Sequence, residues 1–334
     1  WEHQKYFVDK VFNDHKKDYG ARYILADQVG LGKTIQLGLS AKIMTLYGNK
    51  PILIIVPKSL MNQWQNELKN MLNIPNAIWN GRRWIDENGK KYVSGNKKEN
   101  IQDCPRKIGI ISQGLFTVKS ETIKPLFDNE YEAVLVDEAH HARRKNIIND
   151  GRNKIGEKTN LYDCLLKLSP NTKSMLLATA TPIQLHPIEL WDLLNILAQG
   201  SDKVLGTKNS MWRKQGSRRK GLELIKNKNH DLSKLSKTDK WRWIKNPFPF
   251  GENNKFSYLR MELGIDDEST VVSPKQYEEL NDINQEEAED IMDNFFEKYN
   301  PYIRHIIRRE RRFLENNINP KTDKPYLKKI NVEL

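Results

Sequence analysis

Two short stretches carry residues that could do chemistry on a phosphorylated ligand. The first, Ala26-Asp27-Gln28-Val29-Gly30-Leu31-Gly32-Lys33-Thr34, places two glycines ahead of a lysine and a hydroxyl. In such a turn Gly30, Leu31 and Gly32 let backbone N–H groups approach an anion. Lys33 would reach the β/γ-phosphates and Thr34 would offer its hydroxyl to Mg²⁺. Asp27 stands where the pattern usually begins with a glycine, so the match is to the Gly-Lys-Thr end. The second stretch, Asp137-Glu138-Ala139-His140, delivers two adjacent carboxylates behind an apolar run. Asp137 would hold Mg²⁺ through water, and Glu138 would orient and deprotonate an attacking water. Either stretch alone also suits a solvated loop. In this order, each behind an apolar run, they predict a Mg²⁺–nucleoside triphosphate site.

Such residues need elements to hold them. Tyr23-Ile24-Leu25 leads into the first turn, and Ile35 to Leu46 leaves it with helical periodicity. Ile52 to Val56, Lys107 to Ile111, Ala133 to Val136 and Ser174 to Ala178 are short runs typical of central parallel strands. Between them lie a helix striped by Leu60, Trp64, Leu68 and Leu72, which Ser59 could cap, and another over Leu161–Leu168. Residues 73–105 read as irregular, with a hairpin turn at Glu87-Asn88-Gly89-Lys90. Strands alternating with helices predict an α/β fold, a doubly wound parallel sheet flanked by helices whose ligand sits beyond the strands' carboxyl ends.

Further candidates fall around those ends. Gln4, near Tyr6 and Phe7, could pair with an adenine edge, or be a solvated helix residue. Thr179 and Thr181 could hydrogen-bond His140 or the carboxylates, or cap a strand. Lys58 and Ser59 could bind a nucleic-acid phosphate, or simply begin a helix.

At 334 residues the chain can bury one large or two modest cores, and its net charge of +12 suggests a polyanionic partner. Cys104 and Cys164 lack metal-ligand spacing and read as reduced thiols of a cytosolic-type compartment. There is no run of 18 apolar residues and no signal-peptide pattern, so a membrane location is not expected. A chain opening on Trp1 is expected to begin inside a longer protein.

Taken in order, several motifs resemble the first lobe of the Swi/Snf-type ATPases of helicase superfamily two. They are His3-Gln4, Asp27 to Thr34, Ile55 to Leu60 with Gln63-Trp64, Asp137-Glu138-Ala139-His140, Ala178 to Pro182, and Glu189-Leu190-Trp191-Asp192-Leu193-Leu194. Residues 1–199 carry the resemblance, and His141-Ala142-Arg143-Arg144 is similar to bacterial and archaeal members such as the RNA-polymerase-recycling ATPase. The resemblance implies a RecA-like P-loop lobe with a helical insertion after the last core strand, working as an ATP-driven motor on double-stranded DNA. It implies adenine reading by Gln4 and phosphate and Mg²⁺ contacts by Lys33, Thr34 and Asp137. Water positioning falls to Glu138, coupling to His140, Thr179 and Thr181, and contact with the tracking DNA strand to Lys58 and Ser59. Gln28 departs from the family's usual glutamate, with a small effect expected.

Residues 200–300 form the expected insertion. From Ser201 to Lys245, fourteen lysines and arginines against four acids, interleaved with Trp212, Trp241 and Trp243, could lie on DNA or form a solvated helical hairpin. From Met261 to Asn300, thirteen acids against Lys275 and Lys298 would instead pack on the basic part or bind a partner. Residues 301–334, rich in arginine, look like the family's connector towards a second RecA-like lobe, whose Gln-x-x-Gly-Arg-x-x-Arg motif the sequence does not contain. Without that lobe's arginines, which elsewhere supply about 10³–10⁵ in rate, the piece is expected to hydrolyse ATP feebly.

The leading expectation is a cytoplasmic, nucleoid-associated double-stranded DNA translocase that remodels protein–DNA complexes and engages RNA polymerase or another DNA-bound protein. A strand-separating helicase, or the motor of a restriction or phage-defence system, is the enzymatic alternative. A nucleic-acid- or polymerase-binding module that uses ATP structurally is the alternative of another class.

Overall fold

The computed structural model describes residues 1–92, 101–118, 121–145, 157–179, 187–226, 233–250, 254–266, 269–272, 276–319 and 323–327. They group into two compact units, Trp1–Gly200 with Ile306–Leu334, and Ser201–His305.

In the first unit the chain runs α1 (Glu2–His15), β1 (Arg22–Leu25), α2 (Lys33–Tyr47), β2 (Ile52–Val56), α3 (Met61–Asn70), β3 (Ala77–Trp79), β4 (Trp84–Asp86) and β5 (Lys91–Tyr92). It continues through β6 (Ile108–Ser112), α4 (Gly114–Thr117), β7 (Tyr131–Val136), β8 (Arg144–Lys145), β9 (Glu157–Lys158), α5 (Asn160–Leu168), β10 (Thr172–Ala178) and α6 (Pro187–Ala198). In the second unit lie α7 (Asp202–Leu205), α8 (Arg218–Lys226), α9 (Lys237–Ile244), α10 (Asn254–Glu262), α11 (Asp282–Asn294) and α12 (Pro301–His305). The chain then rejoins the first unit with β11 (Ile306–Ile307), α13 (Arg311–Asn316), β12 (Ile318–Asn319) and β13 (Lys324–Pro325).

One sheet runs in the order β11-β1-β10-β7-β2-β6-β3-β4-β5. Every pair from β11 to β3 is parallel, and β3, β4 and β5 are antiparallel. The central strands are buried on both faces, which explains their unbroken β-branched and apolar composition. Alternate residues Tyr23 and Leu25, Ile52, Ile54 and Val56, Ala133 and Leu135, and Leu176 and Ala178 share one cluster with Phe7, Val11, Leu37, Met44, Trp64 and Leu68 of the first three helices. Because Leu25 pairs with Ala178, and Val136 with both Leu177 and Ile55, four carboxyl ends stand level. The residues that follow them are the two chemical stretches, Thr179 and the Lys58 turn.

The expected α/β architecture is present, with two local corrections. Residues 73–105, read as irregular, hold β3, β4 and β5. Strands of two or three residues carry no period, and what orders them is the edge-on pair Trp79–Trp84, with centroids 5.5 Å apart. The expected turn joins β4 to β5, with Gly89 at φ +81°. Ser59 does not cap α3, since Lys58–Leu60 form a 3₁₀ turn and the helix starts at Met61.

The second unit is built on aromatic side chains. Trp212, Trp241, Trp243, Phe248, Phe256, Phe295 and Phe296 are all buried. Trp212 and Trp243 lie 4.7 Å apart edge-on, and the Trp212 indole N–H donates to the Trp243 carbonyl at 2.9 Å. These rings are core, so none can stack on a base as the interleaving with basic residues suggested. The acidic stretch does pack on the basic one: Glu289 and Glu278 bond Lys237 and Thr238 at the start of α9, while Asp290 pairs with Lys255, beyond the basic stretch.

At the opposite end of the first unit from the carboxyl ends, His15 is fully buried. Its Nδ1 lies 2.7 Å from Ser174 Oγ, which accepts the Ala21 N–H, and its Nε2 lies 3.0 Å from Glu132 Oε1. Burial holds this imidazole below its ordinary value, against the opposing pull of Glu132. As pH falls through about 6.5 the unfolded chain therefore gains the proton first, and stability is lost on the acid side. We predict that the urea midpoint of the parent drops more steeply between about pH 7 and about pH 5 than that of His15→Gln. Parallel curves would contradict this reading.

Candidate active site

The loop after β1 is shaped by two left-handed glycines, Gly30 at φ +83° and Gly32 at φ +74°, the latter the N-cap of α2. A Cβ on Gly32 would come within 2.4 Å of Gln4 Nε2, the movable end of a side chain, so it is the left-handed backbone that calls for glycine there. The loop leads into the start of a fifteen-residue helix, whose N-terminal N–H groups make an anion cradle, while the Leu31 N–H is turned onto the Gln28 carbonyl at 3.3 Å. Lys33, the first residue of α2, donates from Nζ to the Asp27 carbonyl at 2.8 Å. Burial lowers its ammonium pKa, and the carboxylates of Asp27, Glu138 and Asp137 oppose that shift, so Lys33 is electrostatically within reach of the acidic strand end.

Asp27 explains its own departure from the glycine pattern. Its backbone is not among the left-handed residues, so the position needs no glycine. Its carboxylate is fully buried and is met by the Arg309 guanidinium through Nε at 2.9 Å and Nη2 at 2.6 Å, by the Arg309 backbone N–H at 3.0 Å, and by Gln36 Nε2 at 3.1 Å. Arg309 also donates to Gln36 Oε1 at 2.7 Å and to the His3 carbonyl. Gln28, expected to matter little, accepts the Arg311 backbone N–H at 2.8 Å through Oε1.

Beyond β7, Asp137 is buried. The Trp64 indole N–H donates to its Oδ2 at 2.9 Å, the Glu138 N–H to its Oδ1 at 2.9 Å, and Gln113 Nε2 to its carbonyl at 2.6 Å. Burial pushes the Asp137 carboxyl above the usual range although both donors favour the anion, a balance that a bound divalent cation would tip back. Glu138 stands at φ +48°, a strained setting for a residue with a side chain, of the kind that collects at active sites. Its Oε2 lies 3.1 Å from His140 Nδ1. Thr179, on the intervening strand end, is fully buried with its N–H on the Leu25 carbonyl at 3.0 Å. Thr181 lies outside the described residues. Lys58 and Ser59 are exposed on the turn after β2.

A cavity of about 370 Å³ opens beside the loop, lined by Trp1, Gln4, Leu31, Ile35, Leu72, Arg311 and Leu327 among others. Gln4 donates from Nε2 to the Leu31 carbonyl at 3.2 Å, and His3 Nε2 donates to the same oxygen at 3.3 Å. The cavity's mainly apolar walls, with the Gln4 amide and the Arg311 guanidinium among the lining, suit a heterocyclic base. The glycine-shaped cradle, Lys33, Thr34 and the Asp137–Glu138 pair fit a triphosphate with Mg²⁺, which would be held by the Thr34 hydroxyl and Asp137.

Sequence reading missed three supports of this site. Trp64 was legible as a buried stripe residue but not as the donor to Asp137. Arg309 lies 282 positions from its partner. Arg143 and Arg144, which follow the acidic stretch, are tied to α6 by Arg143–Glu189 at 2.7 Å and by Arg144 on the fully buried Asp192 at 3.2 Å. Only the recurrence of acids at 189 and 192 hinted at these last pairs.

Comparison with known proteins identifies the family. Residues 3–247 match the SNF2-related domain. The chain is 31% identical over 221 residues to the uncharacterized ATP-dependent helicase YqhH of Bacillus subtilis (strain 168), covering 62% of this chain and 33% of that protein. It is 30% identical over 184 residues to the RNA polymerase-associated protein RapA of Vibrio atlanticus (strain LGP32), covering 55% and 17% respectively. The chain thus spans a third or less of these curated relatives. Among solved structures, the Sulfolobus solfataricus SWI2/SNF2 ATPase core in complex with dsDNA shares the fold at a TM-score of 0.50 and 16% identity, covering 96% of this chain and 46% of that one. From the left-handed glycine loop to the paired carboxylates, and by a match over most of its length, this chain belongs to the SNF2-related domain family, with the RecA-like lobe of a Swi/Snf-type ATPase of helicase superfamily two.

Proposed function

We propose that this chain is the nucleotide-binding lobe of a DNA-dependent ATPase that translocates on double-stranded DNA and remodels protein–DNA complexes. The observation that carries the reading is the strand register, which sets the loop bearing Lys33 after β1 and the Asp137–Glu138 pair after β7 at level ends on either side of β10. In this reading Gln4 and the adjacent cavity take the adenine, and the N–H groups around Gly30, Leu31 and Gly32 take the phosphates. Lys33 leaves the Asp27 carbonyl for the β/γ-phosphates. Mg²⁺ would supply charge neutralisation on the phosphate oxygens, and the Thr34 hydroxyl and, through water, Asp137 would hold it. Glu138 orients the attacking water and takes its proton, and His140, at ion-pair distance, fixes where that carboxylate points. Thr179, together with Thr181, would couple the phosphate's state to DNA grip, and Lys58 and Ser59 would touch the backbone of the tracking strand.

Residues 1–199 then serve as the motor's first lobe, 200–300 as its inserted helical part, and 301–334 as the way towards a second lobe whose arginines complete the site. The names of similar proteins, a SWI2/SNF2 ATPase core in complex with dsDNA and an RNA polymerase-associated protein, support double-stranded DNA and RNA polymerase as partners; another DNA-bound protein and a cytoplasmic, nucleoid-associated location belong to the same proposal. Among the described residues no helix is long and apolar enough to cross a membrane.

We predict that Lys33→Ala weakens binding of a fluorescent ATP analogue about ten- to a hundredfold, the scale of one charge-assisted contact of about 1.5–3 kcal/mol. Unchanged affinity would remove the nucleotide reading. In the intact protein, Glu138→Gln is expected to keep ATP binding while losing hydrolysis and triplex displacement on duplex DNA. A variant that still displaces the third strand would leave ATP a structural ligand. Separation of duplex strands by the parent in a parallel assay would favour the helicase alternative.

A further inference from the structure

The motifs that suggest nucleotide binding end before residue 200, yet the loop they build is held from elsewhere. β11 adds a parallel strand beside β1, with Ile306 on Ile24 and Ile307 on Leu25. The Ala26 N–H then bonds the Ile307 carbonyl at 2.7 Å, and the Gln28 N–H the Arg309 carbonyl at 3.0 Å. Leu31, inside the loop, is buried against Leu314 and Leu327. Arg311 and Leu327 also line the cavity beside Gln4.

At the centre of this contact, the Arg309 fork spans three pieces of the site at once. It meets both Asp27 oxygens at the loop's entrance, Gln36 in the first turn of α2, and the His3 carbonyl next to Gln4. Gln36 in turn donates to the Leu31 carbonyl at 3.2 Å, the same oxygen that Gln4 and His3 meet. A single guanidinium therefore sets the spacing between the phosphate loop and the residue that faces the base.

We propose that the nucleotide site is completed by the returning segment 306–319, with Arg309 as the positioning residue of the phosphate loop. This rests on the reading of that loop as a nucleotide site. Arg309 touches no substrate and acts through Asp27, Gln36 and the His3 carbonyl. A lysine reaches the same carboxylate but cannot fork to three partners. Removing the arginine alone leaves Asp27 buried and unpaired, which can unfold the lobe. Removing both charges restores the fold without restoring the geometry.

The test measures mant-ATP binding by fluorescence anisotropy, alongside thermal denaturation, for the parent chain, Arg309→Lys, Arg309→Ala and the double variant Asp27→Ala/Arg309→Ala. We expect Arg309→Lys and the double variant to melt near the parent and bind about tenfold or more weakly, and guanidinium ion at millimolar concentration to restore part of the affinity of Arg309→Ala. If the double variant or Arg309→Lys binds as tightly as the parent, the pair is only a core contact and the proposal falls. If neither variant folds, Arg309 is a core residue rather than a positioning one, and the proposal falls equally. Should the parent itself fail to bind mant-ATP, the failure belongs to the nucleotide reading and not to Arg309.

Discussion

Asp27 is a carboxylate with no exposure to water, set where the chain leaves its first strand, and the site follows from how its charge is met. An isolated ion in such a place is very costly, and a buried pair offsets that cost only when its geometry and its remaining hydrogen bonds are good. Here four donors converge on two oxygens, and two of them come from one guanidinium. The Asp27 carbonyl meanwhile holds Lys33. One residue therefore faces both ways, its side chain fixed by the core and its backbone oxygen detaining the cation that would otherwise meet phosphate. A loop with glycine in this place has no comparable anchor, and its shape must come from the backbone alone.

The acidic end of the site follows the same logic by different means. Among the described residues no cation is bonded to the Asp137 oxygens; neutral donors, the Trp64 indole and the Glu138 N–H, satisfy the carboxylate without cancelling its charge. That leaves the group oriented yet still attractive to a metal ion, whereas an arginine in Trp64's place would have quenched it. The contrast between Asp27, charge-paired, and Asp137, only hydrogen-bonded, separates the carboxylate that builds the loop from the one suited to hold a cation. The sequence points to Asp137 as the metal residue through its neighbour Glu138, but shows Asp27 only as a departure from the glycine pattern and gives it no role.

How far the sequence could be read depended on whether the responsible interaction was local. The parallel strands were legible because burial on both faces leaves runs such as Ile52 to Val56 with no polar break. The loop was legible because left-handed backbone at Gly30 and Gly32 demands glycine. The edge strand at Ile306–Ile307 was not, since two residues carry no period and the arginines around them read as a basic tract. Trp212, Trp241 and Trp243 misled for a related reason. Composition shows that aromatic and basic residues alternate, but not which of them turn inward, and each indole is at most 2% exposed. Arg242, between two of them, stays outside, because arginine can carry its head to water while its stem covers the core, whereas Arg213 beside Trp212 is itself largely covered.

The return of the chain to β1 also changes what a motif-bounded description of this lobe would contain. A parallel strand at a sheet edge is held by few bonds, and β11 has two residues, so register there is weak unless something else pins it. The Arg309–Asp27 pair does so. Sliding the segment by one residue would turn Arg309 to the other face and strand a buried charge, so the edge has one favourable register. Register and loop shape are thereby set by the same contact. The segment that reads as a departing tail is, by its hydrogen bonds, part of the wall around the loop it leaves behind.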